Sequence, residues 1–357
     1  MLNRRQVLAT VALSGLPIPA FAGAPVKTAF ISCCQTRDGR YGAAFISEDL
    51  NVLDVLPIDV RGHATAVSPD GKTAVVFARR PDRLAFVFDI ETRQRIHVFV
   101  SPEDRHFCGH GFFSQDGALL FATENDYEKE TGELGIYAVD AAFRRIGAFA
   151  TAGIGPHEAL LLKDRQHIAV ANGGIVTHPD YPRQKLNLAT MKPSISLLSA
   201  ATGDLIETVA LPGDFHQLSI RHMAEAANGD IWFGCQYEGP TTNVVPLVGV
   251  YRPGRSIKPI WANDQIYRQL NRNIGSVAAS TDGHHISVTS PRGGKALTWN
   301  TMSEELVSTA DVYDVGGVAP KGSGFVLSAG TGLLKDTNHV RHHELAWDNH
   351  LSSPLTG

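Results

Sequence analysis

The stretch Gly62-His63-Ala64-Thr65-Ala66-Val67-Ser68-Pro69-Asp70-Gly71 decides the fold, because the chain keeps returning to it. A second copy, Gly109-His110-Gly111-Phe112-Phe113-Ser114-Gln115-Asp116-Gly117, places its histidine 47 residues after His63. Another 47 residues on stands Pro156-His157-Glu158-Ala159-Leu160, with Lys163-Asp164 at the turn. A fourth copy, Arg221-His222-Met223-Ala224-Glu225, turns at Asn228-Gly229-Asp230. Its interval of 65 residues absorbs a polar, proline-bearing insertion at 177–192. Two more copies lack histidine: Gly275-Ser276-Val277 before Thr281-Asp282-Gly283, and Gly316-Gly317-Val318 before Lys321-Gly322-Ser323-Gly324. A period of about 40–50 residues marks a repeat architecture.

Each copy opens a short apolar run, turns, and enters a second one, such as Ala74-Val75-Val76-Phe77-Ala78 or Ile231-Trp232-Phe233-Gly234. Short apolar runs joined through Asp-Gly or Asn-Gly are strands in tight hairpins. A third and fourth strand follow in most repeats, as in Leu84-Ala85-Phe86-Val87-Phe88-Asp89 and Arg95-Ile96-His97-Val98-Phe99-Val100. Four antiparallel strands per repeat make a β-propeller blade. Thr28-Ala29-Phe30-Ile31-Ser32 aligns as a further second strand, with Phe30 standing 47 residues before Phe77. The expectation is an all-β, seven-bladed propeller, with six blades as the alternative. The first blade lacks an innermost strand and the last is short of outer ones, so Glu344-Leu345-Ala346-Trp347 is expected to help close the ring.

Residues 1–22 read as an export signal, leaving 23–357 as one propeller domain. Arg4-Arg5-Gln6-Val7-Leu8 precedes an apolar segment, and Ala20-Phe21-Ala22 fits a small-x-small cleavage site. The arginine pair points to twin-arginine export. Asn3 stands where such leaders carry Ser or Thr, and an ordinary secretory leader is the competing reading. Nothing after the leader is long and apolar enough to span a bilayer, so the mature chain is expected to be periplasmic. A net charge of −4 with both signs scattered argues against nucleic acid, which needs a basic face. The four cysteines, Cys33-Cys34, Cys108 and Cys235, are too dispersed to suggest a disulfide framework.

Propeller geometry makes the repeat a chemical statement. Innermost strands line the central channel, so equivalent repeat positions converge in a ring at one mouth. His63, His110, His157 and His222 hold that position in four consecutive blades. Imidazole binds copper, iron, zinc and nickel, and three or four converging imidazoles with an open side describe a metal centre. Two other readings compete. Propellers of the WD type also begin repeats with Gly-His, bonded within the blade, and protonated imidazoles could instead bind an anion.

Four more residues are candidates for the same centre. Cys108 lies two residues before His110 and could ligate as thiolate, though a buried small hydrophobe is the plainer role. Glu124, with Asp126, could support ligands from behind. Glu158 follows His157, and strand alternation would turn it into the blade. His216 could take the mouth position in place of His222. The pairs His284-His285 and His342-His343 fall off the repeat register and read as solvated. Hydrolase, dehydrogenase and covalent haem chemistry have no visible motif, and no catalytic residue can be named.

The arginine-pair leader, the block 109–114, Glu124-Asn125-Asp126-Tyr127, Gly155-Pro156-His157-Glu158, Ala171-Asn172-Gly173-Gly174-Ile175 and Ser219-Ile220-Arg221-His222 together resemble a bacterial family of exported proteins catalogued as a domain of unknown function. The resemblance implies a seven-bladed propeller encoded beside imelysin-like and dihaem thiol-oxidoreductase-like proteins. It also implies periplasmic iron acquisition, with those proteins as partners. The leading expectation is therefore a periplasmic metal-binding propeller handling iron or copper, with a redox step conceivable. A metal-free scaffold docking the uptake proteins, or an enzyme acting at the channel mouth, are the alternatives.

Overall fold

A computed structural model describes residues 26–181 and 184–354. The leader at 1–22 lies outside them. Seven four-stranded antiparallel sheets are arranged as a propeller, and the six-blade alternative is set aside. The sequence of turns explains the repeat. In three blades a serine Oγ bonds the aspartate two residues on, at 2.6 Å for Ser68–Asp70, Ser114–Asp116 and Ser280–Asp282. The following glycines adopt positive φ, +69° at Gly71 and +73° at Gly117, where a side chain would be strained. These turns join the inner strands Gly62–Val67 and Arg105–Phe113 to the second strands Thr73–Ala78 and Leu119–Asp126.

Second strands are buried almost throughout because neighbouring blades pack against both faces. Thr73–Ala78 and His167–Asn172 are each buried at five consecutive positions. Fourth strands alternate instead, as in Arg144–Ala150, since they form the outer rim. Between blades, aromatic rings interdigitate: Phe77 stacks edge-on against Phe107 at 5.4 Å, and Phe107 against Phe99 at 6.0 Å. Each such fully buried ring contributes about 1.5–3 kcal/mol. All four cysteines are free and buried.

The ring closes through its ends. Leu345–Ser352 pairs antiparallel with Phe30–Thr36 and supplies the innermost strand of the first blade. Closure was expected from Glu344 to Trp347, and the closing strand runs five residues further. The last blade does have its outer strands, Leu333–Lys335 and Val340–His342, of three residues each. Inner strands touch in sequence around the channel, with Leu345–Ser352 against both Val315–Lys321 and Gly62–Val67.

Six of the seven inner strands share an irregularity at about the same level. The pairing register shifts between Gly62 and Thr65, Phe107 and Gly111, Pro156 and Glu158, Ile220 and His222, and Val315 and Gly317. On the closing strand it shifts between Trp347 and Leu351. A bulge frees residues from the ladder and re-aims their side chains. Here it turns histidines toward the axis.

Candidate metal centre

Five imidazoles meet in the channel. His63, His110, His157 and His222 are joined by His350 from the closing strand. Ring centroids lie 4.6 Å apart for His63–His350, 4.7 Å for His110–His350, His222–His350 and His157–His222, and 5.0 Å for His63–His110 and His110–His157. Two overlapping groups could hold a metal ion: His63, His110 and His157, and His110, His222 and His350, with ligand atoms within 4.8 Å of one another in each. His110 belongs to both. The centre was expected at one mouth of the channel, with an open side, but His63, His110, His222 and His350 are only 2–8% exposed. His157 is the partly exposed member.

The crowding depends on glycine at one position. Gly109 has φ +101°, and a Cβ there would come within 2.4 Å of His63 Cδ2. The two blades without histidine contribute small residues. Ser276 Oγ lies 3.4 Å from His350 Nδ1, and a Cβ on Gly316 would come within 3.0 Å of the Asn349 backbone.

Two carboxylates stand behind the rings. Glu158 Oε1 lies 3.4 Å from His110 Nδ1 and Oε2 lies 3.5 Å from His222 Nδ1. Oε2 also accepts the Met223 N–H at 2.7 Å. Alternation was expected to turn Glu158 into the blade; the bulge between Pro156 and Glu158 reverses that. Asp348 accepts from Arg61 Nε at 2.6 Å and approaches His63 Nδ1 at 3.8 Å, beyond hydrogen-bond reach. Carboxylates placed on the far nitrogen of a ligating imidazole orient it and raise its basicity.

Several ring nitrogens have no partner. His110 Nε2, His157 Nδ1 and His350 Nε2 are buried and make no hydrogen bond, nor do His63 Nδ1 and His222 Nδ1 with their longer carboxylate approaches. Burial pushes His63 down to about 3, opposed by Asp348 and reinforced by His110 and Arg79. Burial likewise lowers His157, His222 and His350. Burial alone would raise Glu158, yet the facing His110 and His222 rings more than offset it and hold it well below the usual carboxylate range. Burial thus favours the neutral, ligating form of His63, His157, His222 and His350, and ionised carboxylates stand behind the cluster.

Residues 56–353, which contain all five histidines, match the family profile described as "Protein of unknown function (DUF1513)". The chain belongs to the DUF1513 family. No curated protein matches it in sequence. Among solved structures, Kuenenia stuttgartiensis Hydrazine Synthase is similar at a TM-score of 0.64 and 13% identity, covering 92% of this chain and 99% of that one. At that identity the likeness speaks for the fold alone.

The remaining sequence candidates of this DUF1513 chain lie apart from the cluster. Glu124 is fully buried and accepts from Arg145 Nη2 at 2.8 Å and from the Tyr137 hydroxyl. It ties together its own sheet, not the channel. Asp126 pairs with Arg105 at 3.0 Å and Lys129 at 2.9 Å. His216 sits beside the 3-10 turn Gly213–Phe215, its Nδ1 3.0 Å from Gly213 O, because that segment precedes the inner strand. Cys108 is buried with its thiol pushed up to about 12 by desolvation, and it belongs to neither histidine group. It lines a small cavity of about 20 Å³ that reaches His157.

Sequence reasoning missed His350 because it follows no repeat spacing. The signal was available: the first blade lacked an inner strand, and the C-terminal run that must supply it contains a histidine. Among the described residues no helix is long and apolar enough to cross a membrane.

Proposed function

We propose that this protein is a periplasmic propeller whose five-histidine cluster binds a transition-metal ion and serves iron (or copper) acquisition or handling. The observation that carries the reading is the set of buried, unpartnered ring nitrogens on His110, His157 and His350. Each buried polar atom left unpaired costs about 1–3 kcal/mol. Gathering several at one point is explained by a ligand that satisfies them together, and a metal ion does so.

The donor set fits such an ion. Neutral imidazole suits copper, iron, zinc and nickel better than hard cations that prefer oxygen. Five donors around one channel exceed the three or four that a site needs, so His63 with His157 and His222 with His350 offer alternative partners for His110. Iron is favoured over copper only through the resemblance to exported proteins encoded beside imelysin-like and dihaem proteins, which would be its partners. Either metal would permit a redox step. The arginine-pair leader supports a periplasmic location.

Titration of Fe(II) under anaerobic conditions, and of Cu(II) and Zn(II), into chelator-treated protein tests the reading. Wild type should bind one of them stoichiometrically. His110→Ala, which breaks both groups, should lose about 100-fold or more in affinity, taking roughly 10–16 kcal/mol for a four-ligand site as ~3 kcal/mol per ligand. The exposed His284 serves as control, and His284→Ala should bind as wild type does. Equal binding by His110→Ala and wild type sinks the proposal.

A further inference from the structure

Beside the cluster, the cavity that reaches His157 is lined by Arg80, His106, Cys108, Asn125 and Arg221 among others, and by no carboxylate. Arg221 occupies the bulge between Ile220 and His222 and is only 6% exposed. Its Nε is buried without a partner, and the guanidinium forms no hydrogen bond or ion pair among the described residues. Glu238, the carboxylate whose charge reaches it, is bonded to Lys185 Nζ. Arg80 lines the same cavity and likewise forms no ion pair.

Two other polar side chains of the cavity, His106 and Asn125, are engaged with their neighbours. His106 Nδ1 donates to Phe107 O at 3.0 Å, which leaves Nε2 as an acceptor facing Asn125 Nδ2 at 3.4 Å. Asn125 Nδ2 also reaches Thr177 O at 3.3 Å. The cationic donors left free in the cavity are the two guanidinium groups.

A buried, unpaired cation is costly, and proteins retain one where a charged ligand completes it. We propose that the Arg80–Arg221 cavity binds a small planar oxyanion of the carboxylate type, of the size of formate or bicarbonate. A guanidinium presents two parallel N–H donors that match the two oxygens of such a group. The room available, about 20 Å³ for a water-sized centre, excludes anything much larger. The anion would lie next to His157, the cluster member open to that side. The site stands on the arginines alone and does not depend on the metal reading.

The test uses chelator-treated full-length protein in Hepes, titrated with sodium formate or sodium bicarbonate, following the melting temperature and binding heat. Wild type should show saturable binding and a rise in melting temperature. Arg221→Met should weaken binding at least ~10-fold, as expected for loss of charge-assisted hydrogen bonds. In anion-free buffer the same substitution should leave the melting temperature unchanged or higher, because it removes an uncompensated buried charge. Arg80→Met, at a partly exposed position, gives a second readout that does not depend on Arg221 tolerating replacement, and should also weaken binding. The proposal is overturned by no saturable binding to wild type. It is equally overturned by an equal rise with sodium chloride at matched ionic strength, or by unchanged affinity in both variants. Because no metal is present, none of these outcomes bears on the histidine cluster.

Discussion

Replacing Glu158 by Gln would isolate what the carboxylate does for the cluster. The side chain keeps its shape and an oxygen to accept the Met223 N–H, now made at 2.7 Å. What it loses is the charge facing His110 Nδ1 at 3.4 Å and His222 Nδ1 at 3.5 Å. Removing the group behind a ligating imidazole typically weakens metal binding by about 10–100-fold, equivalent to ~1.4–2.8 kcal/mol. The metal-free protein should respond more modestly. His110 and His222 hold the Glu158 carboxyl below its usual range, so its charge also stabilises the metal-free fold, and losing it should cost about 1–3 kcal/mol there. The assay is a pair of measurements on each protein: metal affinity by competition with a chromophoric chelator, and urea unfolding after chelator treatment. Weakened metal binding with only a modest loss of metal-free stability is the expected pattern. Unchanged affinity, or a metal-free fold that loses more than ~3 kcal/mol, would refute the argument that Glu158 serves the ligands.

Acid should destabilise the metal-free protein: burial holds His63, His157, His222 and His350 below the free imidazole value, His63 at about 3. Their stabilisation is present above the unfolded value near 6.5 and is lost as pH falls toward their folded values, by about 1.4 kcal/mol per histidine per unit. Urea midpoints at pH 7 and pH 5 check this, and equal midpoints would contradict it. Gly109→Ala should cost about 2–4 kcal/mol, since the new Cβ meets His63 Cδ2 at 2.4 Å on a backbone of φ +101°; a melting curve like that of wild type would show that the close approach is not required. Exchanging both Arg4 and Arg5 for Lys should strand precursor in the cytoplasm, as cell fractionation would reveal, whereas undiminished export would point to the general secretory route.

Fold and site were legible in the sequence to different depths. The 47-residue interval was visible because every blade must reach the same radius with four strands, which fixes the length of each repeat. It carried four of the five histidines into one channel. The bulges were not visible, because a two-residue periodicity is the only orientation signal that a strand offers. Glu158 was therefore assigned to the blade interior when it faces two imidazoles. The open-sided mouth expected around the ring is a buried interior for the same reason, since the bulges draw the rings inward onto one another. His350 lay beyond the reach of the repeat because its strand belongs to the first blade while standing last in the chain. His216 was proposed on proximity to His222, yet it caps a 3-10 turn and stands just ahead of the inner strand, which begins at Leu218.

The closing strand has a consequence for when the centre can exist. His350 lies 287 residues after His63 and enters the cluster only once Leu345–Ser352 has docked beside Phe30–Thr36. Until then the His110, His222 and His350 group has two members, and the first blade has no innermost strand. A chain still emerging from the ribosome presents an incomplete set of donors. Docking of this one strand thus joins two events, shutting of the ring and completion of the donor set, into a single step. An ion held by His110, His222 and His350 would then certify that synthesis had run past residue 350, which makes that ion itself a reporter of a finished fold.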